Sequence, residues 1–246
     1  PIRDTLLYVD QGWPEIERVH AAKITLLDKQ IGRLLRKLDE MGDLDNTLVI
    51  FTSDNGPHGA AGGHDFEFFN SNGDLKGFKR DLYEGGVRVP LIAFWENKIS
   101  KGVSTNHISA FQDIMPTLAE VAGINIPTHT NGLSFLPTLL NKEQDKHEFL
   151  NWELQLSGWF QTLPDGGFRQ SCRMDNWKAV RYGINSEIEL YNLIQDISES
   201  NNIASQHSEL TERMIKIFES SRIDAPFFPY GGVIQNYKSQ DKHLKE

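Results

Sequence analysis

Apolar residues recur every three or four positions between residues 15 and 41, with charged residues between them. This period is that of a helix with one buried face, and Gly42 provides a natural end. The next apolar run, 47–53, is short and rich in β-branched residues, which predicts a buried strand. Because helix, short loop, strand and polar loop follow one another, we expect an α/β sheet with parallel strands.

Two further apolar segments continue this pattern. Residues 89–95 predict a second buried strand, and 109–123 predict a helix. Pro116 lies inside the predicted helix, where it either kinks the helix or begins a new first turn.

The pattern changes after about residue 140, where short strand-like segments alternate with turn residues. This alternation predicts a small antiparallel sheet. Residues 208–222 predict an amphipathic helix capped by Ser208, and a polar tail follows from about 226. We therefore predict two domains, one over 1–142 and a smaller α+β domain with a tail over 143–246.

The composition narrows the class of protein. The chain has 246 residues, of which 39% are hydrophobic, and this is ordinary for a globular protein. Its net charge of −9 argues against nucleic acid as a partner, although a local lysine cluster and a bound cation can still attract an anionic substrate. No apolar run approaches the roughly 20 residues of a membrane span. A single cysteine, Cys172, excludes an intrachain disulfide.

The loop after the first predicted strand carries the candidate chemistry. Asp54 and Asn55 offer a carboxylate and an amide oxygen at a strand end, where ligands of α/β sheets bind. Such oxygens suit Ca²⁺ or Mg²⁺, but Ca²⁺ takes six to eight of them, so other ligands are required. The alternative is that Asp-Asn-Gly is only a turn. Lys79 could bind a tetrahedral anion, or it could be a solvated surface lysine.

Several ordered motifs then match one family across roughly residues 15 to 220. They include LVIFTSDNGPH, LYEGGVRVPLIAFW, ISAFQDIMPTLAEVAGI, RMDNWKAVRYG and ELYNLIQDISESNNIA. The chain resembles the type I, formylglycine-dependent sulfatases of the alkaline-phosphatase-like superfamily. The resemblance implies the C-terminal part of an alkaline-phosphatase-like sandwich, with a mostly parallel sheet flanked by helices. A small antiparallel-sheet subdomain with a C-terminal helix would follow it.

The resemblance also assigns roles to individual residues. It implies that Asp54 and Asn55 are two ligands of Ca²⁺, with Mg²⁺ less favoured, and that Lys79 contacts the sulfate ester. The substrate would be a sulfated carbohydrate or aryl compound. Side chains that the resemblance makes candidates for substrate binding are His58, His64, Lys76, Glu153, Gln170 and Arg173. The plain alternative for each is an exposed loop residue or a polar residue on a sheet surface.

Other landmarks of the family are missing from this chain. Formylglycine forms from Cys or Ser in a Cys/Ser-x-Pro/Ala-x-Arg sequence, and Cys172 has Met174 two residues later. The family's first aspartate pair and its Pro-His-x-Pro histidine are also absent. We therefore expect the C-terminal half of an enzyme that is inactive without its N-terminal half, in the same or a separate chain. The resemblance to bacterial sulfatases implies a periplasmic or secreted protein.

Two alternatives remain open at this stage. The first is a phosphohydrolase of the same superfamily. Asn55 argues against it, because those relatives carry histidine beside the aspartate to bind transition metals, whereas an amide oxygen prefers a hard cation. The second is a non-catalytic fragment that binds sulfated glycans, which the missing nucleophile favours. The identity of the bound metal and the coding sequence upstream of Pro1 would discriminate among the three.

Overall fold

The structure, a computed structural model, describes residues 3–59, 63–126, 128–156 and 162–223. Its helices are α1 (Glu15–Glu40), α2 (Glu84–Val87), α3 (Ile114–Val121), α4 (Leu136–Leu139) and α5 (Ser208–Ser220). Its strands are β1 (Val49–Thr52), β2 (Leu91–Phe94), β3 (Leu150–Gln155), β4 (Phe168–Met174), β5 (Trp177–Tyr182) and β6 (Glu189–Asn192). Within the described ranges, none of the helices combines the length and apolar character needed to cross a bilayer.

The chain divides into two compact units. The first unit comprises Pro1–Gly73 and Val89–Lys146, and the second unit comprises Asp74–Arg88 and His147–Glu246. The division at 142/143 stays a prediction about domains. The observed grouping also places residues 74–88 with the second unit, which no compositional change in the sequence indicates.

The first unit contains the long helix and the two strands that the apolar pattern predicts, but the strands are not buried as predicted. Phe51 is 38% exposed and Ile92 is 61% exposed, because β1 and β2 form a sheet of two strands in the described part of the chain. The helix α1 confirms the prediction over 15–41. In α3, Pro116 lies in the first turn, where a missing N–H costs no helical hydrogen bond, so the helix begins there without a kink.

The orientation of the two strands corrects the sequence prediction. Strands β1 and β2 pair antiparallel, from Val49 opposite Phe94 to Thr52 opposite Leu91, so this pair does not show the parallel arrangement that we expected. The reason is the path of the connection. The chain leaves β1 after Thr52 and begins β2 at Leu91, which lies opposite Thr52. A parallel pair would require the connection to cross to the other end of the sheet before β2 begins.

The second unit is built on a four-stranded antiparallel sheet in the order β3-β4-β5-β6, which confirms the predicted small sheet. One face of this sheet packs against α5. The buried apolar residues of this core include Cys172, Met174, Ala179, Leu190, Met214 and Phe218. Helix α5 begins at Ser208 and its capping position is His207, which makes no side-chain cap, so the predicted Ser208 cap is wrong. The predicted tail lies outside the described residues.

Candidate active site

The two candidate metal ligands follow β1 directly. The backbone bends at Asp54, and the Ser53 hydroxyl donates a hydrogen bond of 2.8 Å to the carbonyl oxygen of Asn55. Asp54 is exposed and Asn55 is half-buried. In the part of the chain that the structure describes, neither side chain has a hydrogen-bond or ion-pair partner. Their oxygens are therefore available to a cation.

The donor set at this strand end suits a hard cation in type but not in number. Ca²⁺ takes six to eight oxygen ligands, and Asp54 and Asn55 provide two side-chain donors. No group of three or more His, Cys, Asp or Glu side chains among the described residues could hold a metal ion. The two residues therefore fit part of a calcium shell, and the remaining ligands would come from outside the described residues.

Lys79 lies at the top of a tight turn. The Asp81 N–H donates a 2.8 Å hydrogen bond to the Phe78 carbonyl, so Lys79 and Arg80 are the two central residues of the turn. Arg80 has a φ of 82°, in the left-handed region that favours glycine. Lys79 is half-buried, and its ammonium has no partner among the residues described.

The two candidate histidines have different surroundings. His58 is exposed, and its Nδ1 lies 2.9 Å from the Gly59 carbonyl oxygen, so its ring can reach solvent. The His64 side chain is only 13% exposed, and its Nδ1 lies 2.5 Å from a carboxylate oxygen of the buried Glu17. The His64 ring also stacks on His20 with 4.0 Å between ring centroids. Burial, followed by the neighbouring His64, lowers the pKa of His20.

This geometry accounts for His64 without a substrate. The Glu17 carboxylate also accepts a 2.9 Å hydrogen bond from the Asp65 N–H, so these two contacts hold the loop against α1. Substrate binding by His64 stays a prediction, but a substrate would have to compete with Glu17 for the ring.

The Lys76 ammonium likewise already has several protein partners, all within the second unit. The ammonium lies 3.8 Å from the centroid of the Tyr83 ring and 3.6 Å from a Glu189 carboxylate oxygen. It also donates to the Tyr191 hydroxyl and to the Glu199 carbonyl, at 3.3 Å each. Because the ammonium already interacts with an aromatic ring and a carboxylate, a substrate anion would have to compete with these groups for Lys76.

The three sheet candidates face inward rather than toward solvent. Gln170 is fully buried. Its amide nitrogen donates to Glu153 at 2.7 Å and its oxygen accepts from Arg181 at 2.5 Å. Glu153 also forms an ion pair with Arg222, with 3.1 Å between Oε1 and Nη2. Sugar hydroxyls could reach these groups only by displacing a protein partner, so substrate contact by Glu153 and Gln170 stays a prediction that this burial disfavours.

Arg173 belongs to a buried charge cluster that sequence reasoning missed. Around Glu84 lie Lys178 at 2.8 Å, Arg173 at 3.3 Å and Arg88 at 3.4 Å, and Lys178 lies 3.4 Å from Glu199. Burial raises the pKa of Glu84, but the three cations outweigh burial and hold that pKa below its usual value. A lysine within a short strand usually indicates a solvated face, so the sequence offers no signal for this cluster.

Comparison with known proteins identifies the family. Residues 10–124 match the family described as Sulfatase, and residues 76–223 match the family described as N-sulphoglucosamine sulphohydrolase, C-terminal. The chain belongs to the sulfatase family. This places it in the alkaline-phosphatase-like superfamily and confirms the resemblance drawn from the motifs.

Individual proteins resemble the chain over most of its length. The N-acetylgalactosamine-6-O-sulfatase of Bacteroides thetaiotaomicron is 31% identical over 211 residues, covering 80% of this chain and 40% of that protein. The crystal structure of Ps i-CgsB has a TM-score of 0.73 at 25% identity and covers 89% of this chain and 46% of that one. The structure of BT4656 in complex with its substrate D-glucosamine-2-N,6-O-disulfate has a TM-score of 0.66 at 25% identity, with 84% and 40% covered.

These comparisons confirm the sulfatase fold class. They also show how much of each relative this chain covers. The match covers 38% and 40% of the length of two curated relatives, so the chain spans about two fifths of each. The solved structures extend beyond the matched part in the same way.

Proposed function

We propose that this chain is the C-terminal part of a sulfuric ester hydrolase that uses Ca²⁺ and a formylglycine nucleophile located outside the chain. The observation that carries the proposal is that three side chains of the segment 51–90 with suitable chemistry have no protein partner. Asp54, Asn55 and Lys79 have no side-chain partner within the described ranges, whereas the neighbouring Lys76 is held by protein groups. Oxygen ligands and an ammonium that have no protein partner are available to a metal ion and to an anion.

Each of these residues has a role that follows from its chemistry. Asp54 and Asn55 would provide two oxygens to Ca²⁺. The ion, when bound, would supply Lewis-acid stabilisation of charge on the sulfate oxygens. The Lys79 ammonium would bind an oxygen of the sulfate ester and stabilise the negative charge that develops as the ester bond breaks. His58, exposed four residues after Asp54, would donate a hydrogen bond to the substrate.

The substrate that the relatives favour is a sulfated sugar. One relative is an N-acetylgalactosamine-6-O-sulfatase, and one solved structure holds D-glucosamine-2-N,6-O-disulfate. Both names specify a 6-O-sulfate on an amino sugar. We therefore propose a sulfated glycan, with a 6-O-sulfated N-acetylhexosamine as the first compound to test.

Exposed apolar surface in the first unit supports the proposal that a further part of the enzyme is required. Ile24, Leu27 and Leu34 on α1 are 53–60% exposed, although the apolar period predicts that this face is buried. Phe111, Met115 and Leu118 are 46–54% exposed. Apolar faces of this kind indicate contact with another protein part. We therefore propose that the chain is inactive without an N-terminal part. The resemblance to bacterial sulfatases is the basis on which we also propose a bacterial enzyme that is periplasmic or secreted.

The test is release of inorganic sulfate by the full-length protein that contains this chain. The substrates are N-acetylgalactosamine-6-sulfate, N-acetylglucosamine-6-sulfate and the 6-phosphate ester of each of these sugars. Sulfate release without comparable phosphate release would support a sulfatase over a phosphohydrolase. Binding of the sulfated sugars with no turnover, in a protein whose peptide map contains no formylglycine, would instead support the non-catalytic glycan-binding fragment.

A further inference from the structure

The Asp81 carboxylate stabilises the turn that carries Lys79. One carboxylate oxygen of Asp81 accepts a 2.9 Å hydrogen bond from the Phe78 N–H and so closes the turn on itself. The other oxygen accepts from Arg169 Nη1 at 2.8 Å and from the Tyr182 hydroxyl at 3.1 Å. The aspartate therefore joins the turn to strands β4 and β5.

Arg169 holds the same turn by its backbone. Its Nη1 also donates a 2.8 Å hydrogen bond to the Arg80 carbonyl oxygen, at the residue with the left-handed backbone. The guanidinium is fixed in turn by Asp165, which accepts from Nε at 2.9 Å, and by the Tyr182 ring, 4.3 Å away. The Arg169 side chain is only 10% exposed. It is therefore a rigid support for the turn.

Two glycines allow the turn to lie this close to its surroundings. A Cβ at Gly77 would lie 2.8 Å from the Asp81 Cβ, and a Cβ at Gly86 would lie 2.1 Å from the Asp81 carbonyl oxygen. Neither distance is possible for a real side chain. The turn is thus packed on one side by backbone and on the other by Arg169 and Tyr182.

A non-glycine residue at a φ of 82° is unfavourable and persists only where surrounding contacts fix it. Here the fixing contacts converge on the residues on either side of the unpaired lysine. We propose that Asp81 and Arg169 are positioning residues, which hold the turn of residues 78–81 in the conformation that presents the Lys79 ammonium to the sulfate ester. This inference rests on the proposed role of Lys79.

The first test is a double-substitution cycle in the full-length enzyme. Arg169→Lys keeps the charge but cannot donate in the same plane to Asp81, Arg80 and Asp165. Because small displacements of a catalytic group reduce turnover strongly, we expect kcat to fall about 10- to 100-fold, with KM changing less. In a Lys79→Ala background the same substitution should change kcat by less than about twofold, since its effect would act through Lys79. Arg213→Lys, in an exposed ion pair with Glu148, is the matched control.

The outcomes of the cycle separate the inference from the function on which it rests. Equal losses of kcat in the two backgrounds would show that Arg169 acts independently of Lys79, and this would overturn the inference while leaving the sulfatase proposal intact. A Lys79→Ala variant with wild-type kcat would contradict the proposed role of Lys79, and the inference would fail with it.

A second pair of variants tests the turn itself and does not depend on Arg169. Arg80→Gly and Arg80→Val both remove the guanidinium, but only glycine adopts a φ of 82° without strain. We expect kcat of the valine variant to be at least about tenfold below that of the glycine variant. The same difference should vanish in the Lys79→Ala background. Equal kcat values for the two variants would overturn the inference.

Discussion

Replacing Lys178 with methionine would remove a fully buried positive charge from the second unit. The lysine ammonium lies 2.8 Å from Glu84 and 3.4 Å from Glu199, and both carboxylates are buried. Methionine fills a similar volume, so the substitution removes the charge without opening a large cavity. The substitution leaves Glu84 paired with Arg88 and Arg173. It removes the ammonium that faces Glu199.

The magnitude follows from the distances. Two unit charges 2.8 Å apart attract by about 6 kcal/mol at an effective dielectric constant near 20, and the cost of desolvation offsets much of this. Removing one partner of a buried ion pair costs about 3–5 kcal/mol in measured cases. Arg173 and Arg88 still compensate Glu84, at 3.3 and 3.4 Å, so we expect the lower end, about 3 kcal/mol. With a urea dependence near 2 kcal/mol per molar, the midpoint falls by about 1.5 M.

Cys172 allows the unfolding of the second unit to be followed specifically. Its thiol is buried in the core of that unit, so it reacts with a thiol reagent only when the unit opens. Full-length protein would be labelled briefly at each urea concentration, and the modified Cys172 peptide quantified by mass spectrometry. Lys216→Met, an exposed substitution on α5, is the matched control and should shift the midpoint by less than about 0.25 M. If the Lys178 variant shifted no more than this control, the buried cluster would not stabilise the unit as described.

Three further expectations concern protonation, reactivity and metal binding. The stability difference between wild type and Glu84→Gln should be complete above a pH of about 4.5, the ordinary pKa of glutamate, and shrink as the pH falls, because the surrounding cations lower the pKa of Glu84; a difference that is constant from pH 7 to 3 would contradict this. Burial raises the pKa of Cys172 to about 12, so its thiol should stay unmodified at pH 8 in the native protein, and rapid labelling without denaturant would refute its burial. Asp54→Ala should reduce the calcium content of the full-length protein, measured by elemental analysis, whereas the exposed Asp45→Ala should not; equal calcium contents would remove Asp54 from the metal site.

The sequence predicted the elements of the fold better than their arrangement. The apolar period of α1 and the short strand-like segments of the C-terminal part identify helix and strands, because the spacing of apolar residues follows the repeat of each element. The burial of the α1 face was not predicted correctly, since Ile24, Leu27 and Leu34 are 53–60% exposed. The antiparallel pairing of β1 and β2 depends on where the chain re-enters the sheet after 38 intervening residues, from Ser53 to Pro90. Local periodicity carries no information about such a return.

The candidate site divides in the same way. A strand followed by Asp54 and Asn55 indicates a cation site from residue chemistry alone, whereas the role of Lys79 came from the family resemblance. Gln170 and Lys178 could not be recognised as buried, because a polar residue in a strand ordinarily faces solvent. Only the fold reveals that buried groups of opposite charge or complementary hydrogen bonding lie beside them.

The most direct test of the account is the rate of sulfate release by the full-length enzyme when Lys79 is replaced. Lys79→Ala would be compared with wild type and with Lys101→Ala, whose ammonium is exposed and paired with Glu96 at 3.0 Å. We expect Lys79→Ala to lower kcat/KM by at least about 100-fold, because a charge that stabilises the transition state is lost. Lys101→Ala should match wild type. A Lys79→Ala variant that releases sulfate at nearly the wild-type rate would contradict the central claim.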